Sequence, residues 1–165
     1  MQKLVVLIVS LFMSALAYGL EAFELPQMNG ENVGEVYKSA DHPGAVFVFE
    51  AYFNRCPYCH ENAPIIDELA AAFKDESRVQ VIDLGRDCRD SDYRSWIIRH
   101  NPNHPVLKDC NQQLLGPMGV SAFPTTVIYD CRGNEVFRNV GTMDRGVYDR
   151  AVASIQAALT QQCSN

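Results

Sequence analysis

The chain has no internal repeat and no low-complexity tract, which excludes solenoid and fibrous architectures. It is short of basic residues: 14 Lys and Arg face 20 Asp and Glu, a net charge of −6. That balance argues against nucleic acid or an anionic membrane surface as partner. Histidines are few. No second Cys-x-x-Cys joins Cys56-Pro57-Tyr58-Cys59, so a zinc site lacks a second thiolate pair. Neither a metal nor a cofactor is expected. The apolar run from Leu4 to about Ala17 is too short for a comfortable membrane span. No cysteine stands at its end, so nothing suggests a lipid anchor.

That run follows Met1-Gln2-Lys3 and leads into Ala15-Leu16-Ala17 and Ala17-Tyr18-Gly19, either of which has the small residues of a cleavage site. The pattern predicts a signal peptide over about residues 1–19 and a periplasmic or otherwise exported mature chain. The alternative is an uncleaved N-terminal anchor. Loss of Lys3 takes the net charge from −6 to −7. Residues 20–165 suit one domain with its own core. The six cysteines are Cys56, Cys59, Cys88, Cys110, Cys131 and Cys163. An even number in an exported chain fits an oxidising compartment and up to three disulfides.

The chemistry concentrates in residues 47–60. The apolar, aromatic run from Phe47 to Phe53 reads as a buried strand. It ends at the Cys-x-x-Cys, and a helical pattern follows at once. Cys56 therefore falls at a helix N-terminus, where backbone N–H groups and the helix dipole favour a thiolate. Cys59 lies one turn further on. This is the layout of a redox pair in which Cys56 attacks a disulfide and Cys59 resolves the mixed disulfide. Cys-x-x-Cys-His is also the attachment motif of c-type haem, but here it closes a strand, and a haem would need a second axial ligand. A purely structural disulfide is the other reading.

Residues 20–44 are weakly periodic, with turn signals at Asn29-Gly30 and His42-Pro43-Gly44 and an expected short helix over residues 33–39. Ala63, Ile66, Leu69, Ala70 and Phe73 recur at helical spacing, with Pro64 expected to kink the helix. A second strand follows near residues 79–84. Strand, helix and strand make a right-handed unit with parallel strands, so the segment after Leu84 returns to the edge that bears the cysteines. Residues 86–117 read as an irregular insert with one helical piece near residues 93–99. Residues 123–129 read as a strand opening with a proline, 130–134 as a hairpin turn and 135–140 as the return strand. A last helix begins at Asp144.

Over residues 45–159 the chain resembles the thioredoxin superfamily. Four features carry the likeness. Glu50 stands six residues before Cys56, where the family keeps a buried acid, and Pro64 stands five after Cys59, at its helix kink. Phe123-Pro124-Thr125 resembles the family's cis-proline segment, and the Asp130, Gly133, Glu135-Val136, Gly141 run resembles its closing hairpin. Pro57-Tyr58 is similar to the dipeptide of glutaredoxins and some periplasmic Dsb proteins. The N-terminal piece is too short for the dimerisation domain of the periplasmic isomerases, and the insert too small for the helical domain of the periplasmic oxidase.

The resemblance implies a thioredoxin-like α/β fold, a mixed central sheet flanked by helices, with the insert between the second βα unit and the cis-Pro strand. It implies a protein-disulfide oxidoreductase with Cys56, Cys59, Glu50 and Pro124 catalytic, and with Pro57, Tyr58, His60, Phe123 and Thr125 lining the substrate. A desolvated Glu50 would exchange a proton with Cys59. Expected partners are cysteine-containing exported proteins and a membrane or soluble redox partner, with the chain a monomer. The alternative is an assembly module of a secretion or conjugation apparatus. For the remaining cysteines, topology favours Cys131–Cys163, because the last helix should end near the hairpin tip. Cys88–Cys110 would then close the insert, as a staple or as a second redox pair.

Overall fold

The computed structural model describes residues 19–163. Apart from Gly19, the expected signal peptide lies outside the described residues. The central strand β3 (Val46–Tyr52) is buried along its whole length. Helix α1 (Pro57–Ala72) links it to β4 (Val79–Gly85), which pairs parallel to it with Glu50 opposite Asp83. Apolar side chains occur without alternation because both faces of these strands are covered.

Helix α2 (Asp90–His100) leads to a three-residue edge strand, β5 (Val106–Lys108), parallel to β4. Strands β6 (Thr125–Tyr129) and β7 (Glu135–Val140) are antiparallel to their neighbours, with Thr126 opposite Glu50. The sheet order is β5-β4-β3-β6-β7. Helix α3 (Arg145–Leu159) is capped by Asp144, whose carboxyl accepts from the Val147 N–H at 2.7 Å.

Two short strands, β1 (Glu24–Pro26) and β2 (Val36–Lys38), form a separate hairpin. They correct the expected helix over residues 33–39. Tyr37 pairs with Leu25 and both are buried, so a tertiary partner decides where local periodicity was weak. The insert is also more ordered than its sequence suggests. It contains α2 and β5, and the turn after β5 is wound around Asp109, whose carboxyl accepts N–H bonds from Gln113, Leu114 and Leu115. Helix α1 runs unbroken through Pro64.

One face of the sheet packs Phe47, Phe49, Ile82, Leu84 and Leu107 against Phe23 and Leu25. The other packs Val46, Val48, Val81 and Ile128 under α1 and α3. The chain's described ends meet at one turn: the Leu20 N–H donates to Gly133 O at 2.7 Å, and Cys131 pairs with Cys163, Cα atoms 5.9 Å apart.

Candidate active site

Cys56 is the N-cap of α1, and Pro57 occupies the first helical position, where a missing N–H costs nothing. The Cys59 N–H donates to Cys56 Sγ at 3.1 Å, so the helix terminus is aimed at this sulfur. The two cysteines form a disulfide with Cα atoms 5.2 Å apart. Cys59 is fully buried and Cys56 is only 3 % exposed, while Pro57 and Tyr58 stand out in solvent.

Glu50 points to the same side of the sheet as Val48 and Tyr52, beneath α1. It is 1 % exposed. Asn62, one turn after Cys59, donates its Nδ2–H to Glu50 Oε1 at 2.7 Å. The Asn62 amide is held in that orientation because its Oδ1 accepts the Met143 N–H at 2.7 Å. Thr126 donates its hydroxyl to Glu50 Oε2 at 2.7 Å. Burial pushes the carboxyl up to about 8; the bonds from Thr126 and Asn62 oppose it, as does His104, while Asp83 adds to it. A carboxyl poised there gives up and accepts protons near neutrality, as a general acid–base requires.

The peptide Phe123–Pro124 is cis. Pro124 and Thr125 are buried, and the Thr125 hydroxyl donates to Ala122 O at 2.8 Å. Phe123 is half-buried: its ring meets Phe53 edge-on at 5.4 Å and lies under the Arg86 guanidinium. It packs against the cluster that contains Cys56 and Cys59. The start of the insert also reaches this loop, since the Asn54 N–H donates to Asp87 Oδ2 at 2.7 Å. Cys88, next to Asp87, is exposed and pairs with Cys110, Cα atoms 4.7 Å apart.

His60, expected at the substrate surface, is half-buried. It stacks on Trp96, its Nδ1 lies 2.7 Å from His100 Nε2, and its Nε2 lies 2.8 Å from Asn54 O. Both ring nitrogens have partners within the chain, and the Nε2 contact ties the ring to the loop that leads to Cys56.

Four residues around Glu50 escaped sequence reasoning: Asn62, Thr126, Asp83 and His104. Asp83 carried a readable mark, an acid in the apolar strand Val79–Gly85, the same oddity that singles out Glu50. Asn62 stands at a buried phase of α1.

The family profile of the AhpC/TSA family matches residues 19–136. NHL repeat-containing protein 2 of Gallus gallus is 30% identical over 124 residues, 72% of this chain and 17% of that protein. The thiol-disulfide oxidoreductase ResA of Bacillus anthracis is 29% identical over 86 residues, 52% of this chain and 49% of that protein. The chain thus spans half or less of these curated relatives. A crystal structure of a secreted Mycobacterium tuberculosis disulfide oxidoreductase homologous to E. coli DsbE superposes with TM-score 0.66 at 20% identity, covering 82% of this chain and 95% of that one. Matched over well more than half its length, and built as a thioredoxin-like sheet around a Cys-x-x-Cys, the chain belongs to the AhpC/TSA family.

Proposed function

We propose that the chain is an exported protein-disulfide oxidoreductase that exchanges disulfides with cysteines of other envelope proteins through Cys56 and Cys59. The observation that carries this reading is the N-terminus of α1. Cys56 Sγ accepts the Cys59 N–H there, and such a bond stabilises a thiolate once the disulfide is opened. Cys56 is then the nucleophile and Cys59 the resolver. Glu50, held by Asn62 on the helix of Cys59, takes the proton that Cys59 must lose before it attacks. Phe123, Pro124 and Thr125, with the exposed Pro57 and Tyr58, border the path to the disulfide. The secreted relative and the apolar N-terminal run support export.

The test is catalysed reduction of insulin by dithiothreitol. The wild-type chain accelerates it, Cys56→Ser abolishes the acceleration, and Cys59→Ser accumulates mixed disulfides through Cys56. No acceleration by the wild-type chain sinks the proposal, and faster alkylation of Cys59 than of Cys56 at mildly acidic pH reverses the two roles. Replacing residues 86–117 with a short turn should lower activity on a protein substrate far more than on a small disulfide.

A further inference from the structure

Glu50 has a second acid for a neighbour. Asp83 stands beside it in register on β4 and is 2 % exposed. Two carboxyls side by side in an apolar sheet repel one another when both are charged. Asp83, however, has partners of its own. Trp96 donates its Nε1–H to Asp83 Oδ2 at 2.8 Å, and His104 Nε2 lies 3.0 Å from Asp83 Oδ1.

The His104 ring is itself buried. Its other nitrogen, Nδ1, lies 3.0 Å from Asn103 Oδ1 and 3.4 Å from Asp67 Oδ1. The Asn103 amide is oriented by its Nδ2–H, which donates to the Asp67 backbone carbonyl at 3.2 Å. The polar atoms that face the imidazole, Asp83 Oδ1, Asn103 Oδ1 and Asp67 Oδ1, are all acceptors, which favours a ring carrying both protons; Nε2 and Asp83 Oδ1 meet at ion-pair distance without hydrogen-bond alignment. The surrounding loop is fixed on three sides. Asn103 N–H donates to Asp67 Oδ1 at 3.3 Å, Asp83 N–H to Pro105 O at 2.9 Å, and Asn29 Nδ2–H to His104 O at 2.8 Å.

The titratable groups on this side of the sheet include Glu50 and Tyr52 from β3, Asp83 from β4, His60 and Asp67 from α1, Tyr93 and His100 from α2, and Tyr148 from α3. His100 is held down by burial, His60 and Arg99. Burial pulls the His104 imidazole down too, but Asp83, Asp67 and Glu50 together raise it above its ordinary value. The same cation favours a charged Glu50 and so opposes Asp83.

We propose that His104 is a positioning residue for thiol–disulfide exchange: its imidazolium, clasped between Asp83 and Asp67, neutralises the second buried acid and leaves Glu50 free to take the Cys59 proton. The inference rests on the role given to Glu50 above. In the step, the Cys59 thiol passes its proton to the Glu50 carboxylate. The Cys59 thiolate then bonds to Cys56 Sγ of the mixed disulfide, and the substrate sulfur leaves as a thiolate with the electron pair of the broken bond. His104 keeps both protons throughout.

The test is the pH profile of the resolution step in single-turnover kinetics. The wild-type rate should inflect near pH 8, set by Glu50. His104→Gln should move the inflection up by about one pH unit and lower the rate at neutral pH about tenfold. Adding Asp83→Asn to His104→Gln should bring the inflection back, because the repelling acid is gone. An inflection unmoved by His104→Gln, or a double variant as slow as the single one, overturns the proposal. Glu50→Gln separates the two readings: a wild-type profile in that variant defeats the role of Glu50 itself, whatever His104 does. Should His104→Gln fail to fold, NMR titration of the His104 ring in the wild type and in Glu50→Gln decides, because the coupling is reciprocal. His104 should lose its proton at a lower pH in Glu50→Gln, and an unchanged midpoint overturns the proposal.

Discussion

Phe49 and Glu50 are neighbours on one strand and belong to two different environments. The face that holds Phe49 is built from apolar and aromatic side chains, with Phe23 set edge-on against Phe47 and Phe49 at centroid distances of 5.6 and 5.5 Å. The face that holds Glu50 is interrupted by a buried polar seam of Glu50, Asn62, Asp83 and His104. Hydrophobic burial stabilises in proportion to the apolar area removed from water, whereas each buried acid costs free energy that its partners only partly offset. The strand's period of two places these effects back to back. One side of β3 is apolar throughout, and the other sets among its apolar neighbours a group whose charge changes near neutral pH.

Substitutions on either side test this division. The largest loss of stability is expected at the dry face: Phe49→Ala should cost about 3–5 kcal/mol in urea denaturation, with the proton chemistry of the surviving folded fraction unchanged. A loss below about 1 kcal/mol would show that the aromatic face does not anchor the fold. On the polar face the sign reverses. The folded Glu50 carboxyl titrates at about 8 against an ordinary 4.5, so the native chain holds a proton that the unfolded chain has released. Wild-type stability therefore falls as pH rises between those values. Glu50→Gln removes that slope. It should be more stable than wild type by up to a few kcal/mol above pH 8, with the advantage shrinking toward pH 4.5 and resolution slowed throughout. Parallel stability curves for the two proteins would contradict the buried charge. The smallest effect belongs to Thr126→Val, which deletes one donor to Glu50. It should cost about 1 kcal/mol at alkaline pH and move the kinetic inflection upward, and a downward shift would count against that bond.

What could be read from the sequence were features whose cause is local. The apolar run of β3, the helix that starts at Cys56, the acid at Glu50 and the proline at Pro124 each stand out within a few residues of themselves. The parallel pairing of β3 and β4 followed from the order of strand, helix and strand. What could not be read depends on partners far along the chain. Strand β5 is three residues long and exists because Asp83–Gly85 pairs with it. Residues 33–39 became a turn and a strand because β1 was there to receive them. His104 sits in a polar loop that resembles any other. Its significance lies in Asp83 and Asp67, which are 21 and 37 positions earlier. The contacts of His60 with Trp96 and His100 likewise join residues 36 and 40 positions apart.

The turn at residues 130–134, where both described ends of the domain converge, sets how the molecule bears mechanical load. It lies at the end of β6 away from Cys56, since Tyr129 pairs with Phe47 and Thr125 with Ala51. Tension applied at Leu20 enters this turn through the bond to Gly133. Tension applied at Cys163 crosses the closed disulfide to Cys131 and arrives at the same turn. Strand β7 and helix α3, enclosed in that loop, carry none of the force while the crosslink is closed. In force spectroscopy they should extend only under reductant, adding the contour length of the 32-residue span between the two cysteines.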